Sequence, residues 1–212
     1  SLMERRSANI TLSQFDAWME SLYLGGGVPV ATGKNISPQS SLQCLAVYSC
    51  VTLISETIGS LPHHVIRQRA DGGKERALDH PLYPLLHDSP NRLMTSQEYD
   101  ECRVGHVELW GNHYSYIERN NGGRVIGLWP LRPDRMEIRR PEPDILEYLY
   151  TLPSGEPRRL SQDEVLHIRG FSLDGVNGLS RITQAREAVG LTQGAEEYGA
   201  RYFGNNSQPG GM

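Results

Sequence analysis

The spacing of apolar residues changes twice along this chain, and those two changes limit the folds open to it. Over 40–62, SSLQCLAVYSCVTLISETIGSLP, the apolar residues Val47, Cys50, Val51, Ile54 and Ile58 recur at helical spacing. Gly59 and Pro62 then end the pattern. Over 95–112, TSQEYDECRVGHVELWGN, Thr95 and Glu98 form a capping-box signature, and Tyr99, Cys102, His106, Leu109 and Trp110 make an inward stripe. From 113 to 170 the period falls to two. HYSYIERNNGGRVIGLWPL reads as two strands around Asn120–Gly123, RMEIRR and ILEYLYTLPSG as two more around Pro141–Asp144, and EVLHIRG as another. The helical period returns near Ser180 and runs past Tyr202. Helices, then hairpin-connected strands, then a long C-terminal helix predict an α+β fold with mainly antiparallel pairing, not alternating βαβ units.

Shorter pieces fit between these blocks. HHVIRQRADGGKERAL (63–78) predicts a small hairpin turning at Asp71-Gly72-Gly73, and HPLYPLLHDSPN (80–91) a short helix. Residues 1–40 read as a flexible arm with a short helix at 12–22 and a joint at Gly25-Gly26-Gly27, a triplet without the Gly-Lys-Ser/Thr of a phosphate loop. Ser1-Leu2 ahead of Met3 reads as an expression remnant.

Composition narrows function. The chain carries 21 basic and 25 acidic residues, a net charge of −4, so it lacks the basic excess of most nucleic-acid binders. Cys44, Cys50 and Cys102 form no CxxC pair, and an odd count argues for reduced thiols in a cytosolic setting. No apolar run approaches the ~20 residues of a membrane span, and no membrane partner is expected.

Candidate chemistry is sparse. The His87-Asp88 pair, with His63, His64 or His80 upstream and Asp134 or Asp163 downstream, could supply the ligands of a metal-dependent phosphohydrolase of the HD type. That chemistry belongs on an all-helical scaffold, and the simpler account is a polar helix end. Asp174-Gly175-Val176-Asn177-Gly178 resembles half a calcium loop but lacks its later acidic ligands, so a tight turn is expected. Arg135, Arg139, Arg140, Arg158 and Arg159 form a basic strip that alternation along strands would split between two faces. Tyr114, Tyr116 and Trp129 are expected to make cross-strand pairs. No catalytic residue, metal or cofactor is assigned.

Several stretches resemble the HK97-type portal proteins of tailed bacteriophages. They are AVYSCVTLISETIGSLPHHVIR (46–67), HPLYPLLHDSPNRLMTSQEY (80–99), WGNHYSYIERNNGGRVIGLWPLRPDRMEI (110–138) and the block from Glu164 to Gly211, in the family's order. The resemblance implies a structural subunit of a ring, typically of twelve copies, at one capsid vertex. It implies double-stranded DNA passing without sequence recognition, and docking of terminase, major capsid protein and head-completion or connector proteins. Its place would be the virion, and the host cytoplasm during assembly. Members are longer, continuing into stem, clip and crown. Residues 41–204 are therefore expected to be the peripheral wing-like part of a truncated chain, with 205–212 a hinge toward the stem.

The last helix poses its own problem. Ile182, Ala185, Val189, Thr192, Ala195, Tyr198 and Tyr202 trace one stripe, yet Gly190, Gly194 and Gly199 each cost about 1 kcal/mol relative to alanine. Gly190 and Gly194, four apart, admit a close backbone neighbour. That neighbour is either the domain's own sheet or a second subunit, in which case Gly190, Gly194, Tyr198 and Tyr202 are the candidate contacts.

Overall fold

A computed structural model describes residues 30–142 and 144–205. Its helices are α1 (Pro38–Ser41), α2 (Leu45–Gly59), α3 (Tyr83–His87), α4 (Ser96–Trp110) and α5 (Arg181–Gly204). Its strands are β1 (Ile66–Gln68), β2 (Lys74–Arg76), β3 (Asn112–Arg119), β4 (Val125–Leu131), β5 (Met136–Glu142), β6 (Ile145–Thr151), β7 (Pro157–Ser161) and β8 (Val165–Arg169). They pair antiparallel in three sheets, β1-β2, β4-β3-β8 and β5-β6-β7. The α+β order read from the periodicities is the order observed. The helix and joint expected at 12–22 and 25–27 lie outside the described residues, as do 206–212 of the expected hinge.

Two apolar clusters hold the layers. Tyr114, Tyr148, Leu160 and Val165 bridge the two larger sheets, with Tyr116 packed on them. Val30, Ile36, Cys44, Leu109, Ile182 and Val189 join the helices. Strand β7 was not expected, because Leu160 is its one buried side chain and offers no alternation to read.

Helix α2 departs from its predicted orientation. Cys50, Ile54 and Ile58, expected inward, lie on its exposed side, while Cys44 just ahead of its first turn and Ser55 and Gly59 within it are buried. The cause is a close approach to α4: a Cβ at Gly59 would stand 2.6 Å from Glu101 Cγ, and one at Gly105 3.6 Å from Ser55 Oγ. Small residues fill that seam because the helices nearly touch, and Leu53, Ile54 and Ile58 are left outside, while Val47 and Val51 of the predicted stripe pack on the helical core as expected.

A backbone crossing ties the helices to the sheet. Gly111 ends α4 at φ +78° with its N–H on Val107 O. A Cβ at Gly178 would fall 1.9 Å from Gly111 O, so neither chain can carry a side chain here. Asn112 seals the crossing: its Oδ1 accepts from Gly178 N–H (2.8 Å) and faces His167 Nε2 (3.0 Å), and its Nδ2 donates to Gly178 O (3.0 Å). Ser180 caps α5 by accepting from Thr183 N–H (3.1 Å) and donates to Leu109 O (2.6 Å) near the end of α4. Asn112→Ala strips three partners from buried groups and should cost on the order of 3 kcal/mol in a urea titration, with a loss under 1 kcal/mol refuting this role.

Beneath the crossing runs a polar chain. Tyr99 OH meets Ser115 Oγ (2.9 Å), Ser115 Oγ meets His113 Nε2 (2.8 Å), and His113 Nδ1 meets His106 Nδ1 (3.1 Å). Burial pushes His113 down to about 2, and His106 and His167 to about 4. A histidine depressed in the folded state is neutral there while the unfolded chain takes protons below about pH 6.5, so stability is present above that pH and lost as pH falls. Asp100, raised by burial, acts in the opposite sense. Chemical denaturation at pH 7 and pH 5 should therefore show a loss on the order of 2 kcal/mol per buried histidine, reduced in His113→Gln. A flat profile from pH 7 to pH 5 would contradict it.

Candidate functional site

The long helix α5 presents two unlike faces. Its inward line runs through Ile182, Val189, Gly190, Gln193, Gly194 and Glu197. Within the chain, the close neighbour that Gly190 and Gly194 admit is residues 30–34 rather than the sheet. A Cβ at Gly190 would lie 2.5 Å from Val30 Cγ2, and one at Gly194 3.6 Å from Thr32 Cγ2. Ala31 N–H donates to Glu187 Oε2 (3.1 Å), Lys34 Nζ pairs with Glu197 Oε2 (2.6 Å), and Gln193 Nε2 donates to Ser40 O (2.8 Å). Residues 30–40, expected to belong to a flexible arm, are packed along α5.

The other face of α5 is open. Tyr198 is 72% exposed, Leu191 66% and Tyr202 36%. The stripe drawn from the sequence follows the core only through Ile182 and Val189; Ala185, Thr192 and Ala195 are exposed. Helix α2 exposes a second such face, where Leu53 is 67% and Leu61 just beyond its end 59% exposed. That surface escaped the sequence analysis, which followed one stripe and passed over Leu53 and Leu61.

Of the residues proposed for metal chemistry, His63, His64 and His87 are neighbours, but their contacts are not those of shared ligands. His87 Nδ1 lies 2.9 Å from His63 O, and its ring lies 4.8 Å from that of His64, tilted by 34°. His63 instead pairs with the buried Asp100 (2.7 Å), which also holds Arg103 (2.7 Å). Asp134 is engaged by Arg132 and Gln39, and His80 Nδ1 accepts from Leu82 N–H. Among the described residues no three His, Cys, Asp or Glu side chains could share an ion. The HD-type reading gains no support.

The other motifs are structural. Asp174 Oδ1 accepts from Val176 N–H, Asn177 N–H and Ser172 Oγ, so its own loop fills the carboxylate. The arginine strip is partly neutralised: Arg139 pairs with Glu137 and Arg159 with Glu147, while Arg158 lies over the Tyr116 ring at 5.2 Å. Tyr116 stands opposite Trp129 in the β3–β4 register, and Tyr114 packs on Tyr148. Among the described residues no helix is long and apolar enough to cross a membrane.

The family model described as "Phage portal protein" matches residues 45–212. The chain belongs to the phage portal protein family. It is 34% identical over 176 residues to the portal protein of Enterobacteria phage HK97, a match covering 82% of this chain and 41% of that one. It is 31% identical over 204 residues to the probable portal protein of Streptomyces phage phiC31, covering 91% and 43%. Among solved structures, a chain from the neck of an empty GTA particle, computed with C6 symmetry, gives a TM-score of 0.66 at 25% identity, covering 91% of this chain and 48% of that one. The chain thus spans less than half the length of each of these three relatives. The portal family is structural rather than catalytic.

For this portal-family chain the interior glycines of α5 separate by environment. Helix propensity alone predicts a gain of about 1 kcal/mol for alanine at each. Nothing lies within 4 Å of a Cβ at Gly199, so Gly199→Ala should raise the melting temperature. Gly190→Ala should lower it by forcing Val30 off the helix. Equal gains from both, measured by thermal unfolding, would refute the docking of residues 30–34.

Proposed function

We propose that this chain is the peripheral, wing-like part of a portal subunit. Copies of the whole protein form a ring at a capsid vertex, and double-stranded DNA moves through its channel during packaging and ejection. Terminase docks on the ring during packaging, head-completion or connector proteins dock afterwards, and the major capsid protein surrounds it. The subunit resides in the virion and, during assembly, in the host cytoplasm. It performs no bond-making of its own, and ATP hydrolysis belongs to the motor.

The observation that carries this reading is the family match over residues 45–212, which takes in α2 through α5 and every strand. Charge supports it. A net charge of −4 with partly paired arginines suits a conduit along which DNA slides, since many free phosphate contacts would hold it in place. Subunit contact falls to Tyr198 and Tyr202, because Gly190 and Gly194 are occupied by Val30 and Thr32. Residues 41–204 form the wing-like unit, with residues 30–40 packed onto it along α5.

Electron microscopy of the purified full-length protein should show closed rings with a central channel. Filter binding should show weak, sequence-independent retention of duplex DNA that vanishes as salt rises. Particles that remain monomeric at every concentration, or tight sequence-specific DNA binding, would overturn the reading.

A further inference from the structure

The hairpin of β1 and β2 stands apart from the rest of the fold. It forms a sheet of its own, and every residue of both strands is exposed. Two strands alone are marginally stable in water, so the hairpin's position depends on what fastens its root. Ala77, just past β2, is buried there, and its N–H donates to Val65 O. Just ahead of β1, His64 meets two residues of α3. Its ring lies 4.8 Å from that of His87 and 6.3 Å from that of Tyr83, and its Nδ1 is 3.4 Å from Tyr83 OH. His87 Nδ1–H donates to His63 O (2.9 Å), and His63 Nδ1 meets Asp100 Oδ2 (2.7 Å) on α4. Arg103 faces His63 Nε2 (3.3 Å), and a guanidinium only donates, so that nitrogen presents its lone pair and the Nδ1–H goes to Asp100.

Charge at this root is unbalanced. Three imidazoles meet there, with the guanidiniums of Arg103 on α4 and Arg76 on β2, and the Asp100 carboxylate is shared by His63 and Arg103. A proton on His64 would set a cation against Arg76, His87 and His63, and among the described residues no carboxylate pairs with it. We propose that His64 is a pH-operated latch, which holds the β1–β2 hairpin against α3 at neutral pH and releases it as the solution turns acidic. Desolvation, then Arg76, His87 and His63, hold the ring below its ordinary value in the closed form. With the hairpin open, His64 protonates near the usual imidazole value of about 6.5, so the latch is closed above that pH and weakens as pH falls. A contact this exposed contributes little, but the hairpin it holds is itself marginal, and a small repulsion suffices to move it.

The test is hydrogen exchange of the purified chain at pH 7.5 and pH 5.5, read by mass spectrometry and corrected for the intrinsic rate. The hairpin amides of Arg69 and Ala77 are hydrogen-bonded to Gly73 O and Val65 O. Peptides carrying them should lose protection about fivefold at the lower pH, relative to a peptide over 112–119 in the core sheet. His64→Phe keeps a ring beside Tyr83 without a titrating nitrogen and should abolish that difference, and His87→Gln should reduce it. Equal losses in hairpin and core peptides, or a hairpin loss that survives unchanged in both variants, would overturn the latch. Should His64→Phe open the hairpin already at pH 7.5, His87→Gln decides: a smaller loss supports the latch and an unchanged one overturns it.

Discussion

The architecture turns on the place where Gly111 and Gly178 cross with no side chain between them. At that point the last turn of α4, the first residue of β3 and the loop into α5 meet, and Asn112 satisfies the polar groups that the crossing buries. Buried amides without partners are costly, so Asn112 can hold the crossing only because Gly178 and His167 use both ends of its side chain. Ser180 repeats the device one step on, joining the end of α4 to the start of α5 through a single hydroxyl. The helical and sheet layers are therefore locked in orientation by two small polar side chains, and the apolar clusters fill the space so defined.

Much of this fold was legible in the sequence, and the failures have physical causes. The capping box at Thr95 and Glu98, the turns at Gly72 and Gly123 and the start of the last helix at Ser180 are local chemistry, and each forms as its residues require. The orientation of α2 was not legible, because ranking residues by hydrophobicity assumes that the greasiest side faces the core. Here the inner seam is chosen by size, and Ser55 and Gly59 win it. The glycine pair on α5 announced a close neighbour correctly but could not name it. Val30 and Thr32 sit in a stretch whose glycine and proline content reads as a linker.

The candidate site was legible in kind more than in place. Tyr198 is solvent-facing, while its companions Gly190 and Gly194 serve the chain's own N-terminal side. A sequence shows that a helix has more apolar surface than one core can use; only coordinates show which side is left over. The histidines make the complementary point. Four of the seven, His63, His64, His80 and His87, invited a metal reading, whereas His106, His113 and His167 are buried hydrogen-bonding struts, held neutral by their surroundings.

The clamping of α5 has a mechanical meaning. Its first turn is fastened through Ser180, its middle by Val30 and Thr32, and among the described residues the Lys34–Glu197 pair is the last tie to another element before the helix runs on to Gly204, with open space beside Gly199. Such a rod is a cantilever, stiff at the root and compliant at the tip. A sideways load on the tip would arrive as torque at the root, where it passes through Leu109 into the sheet.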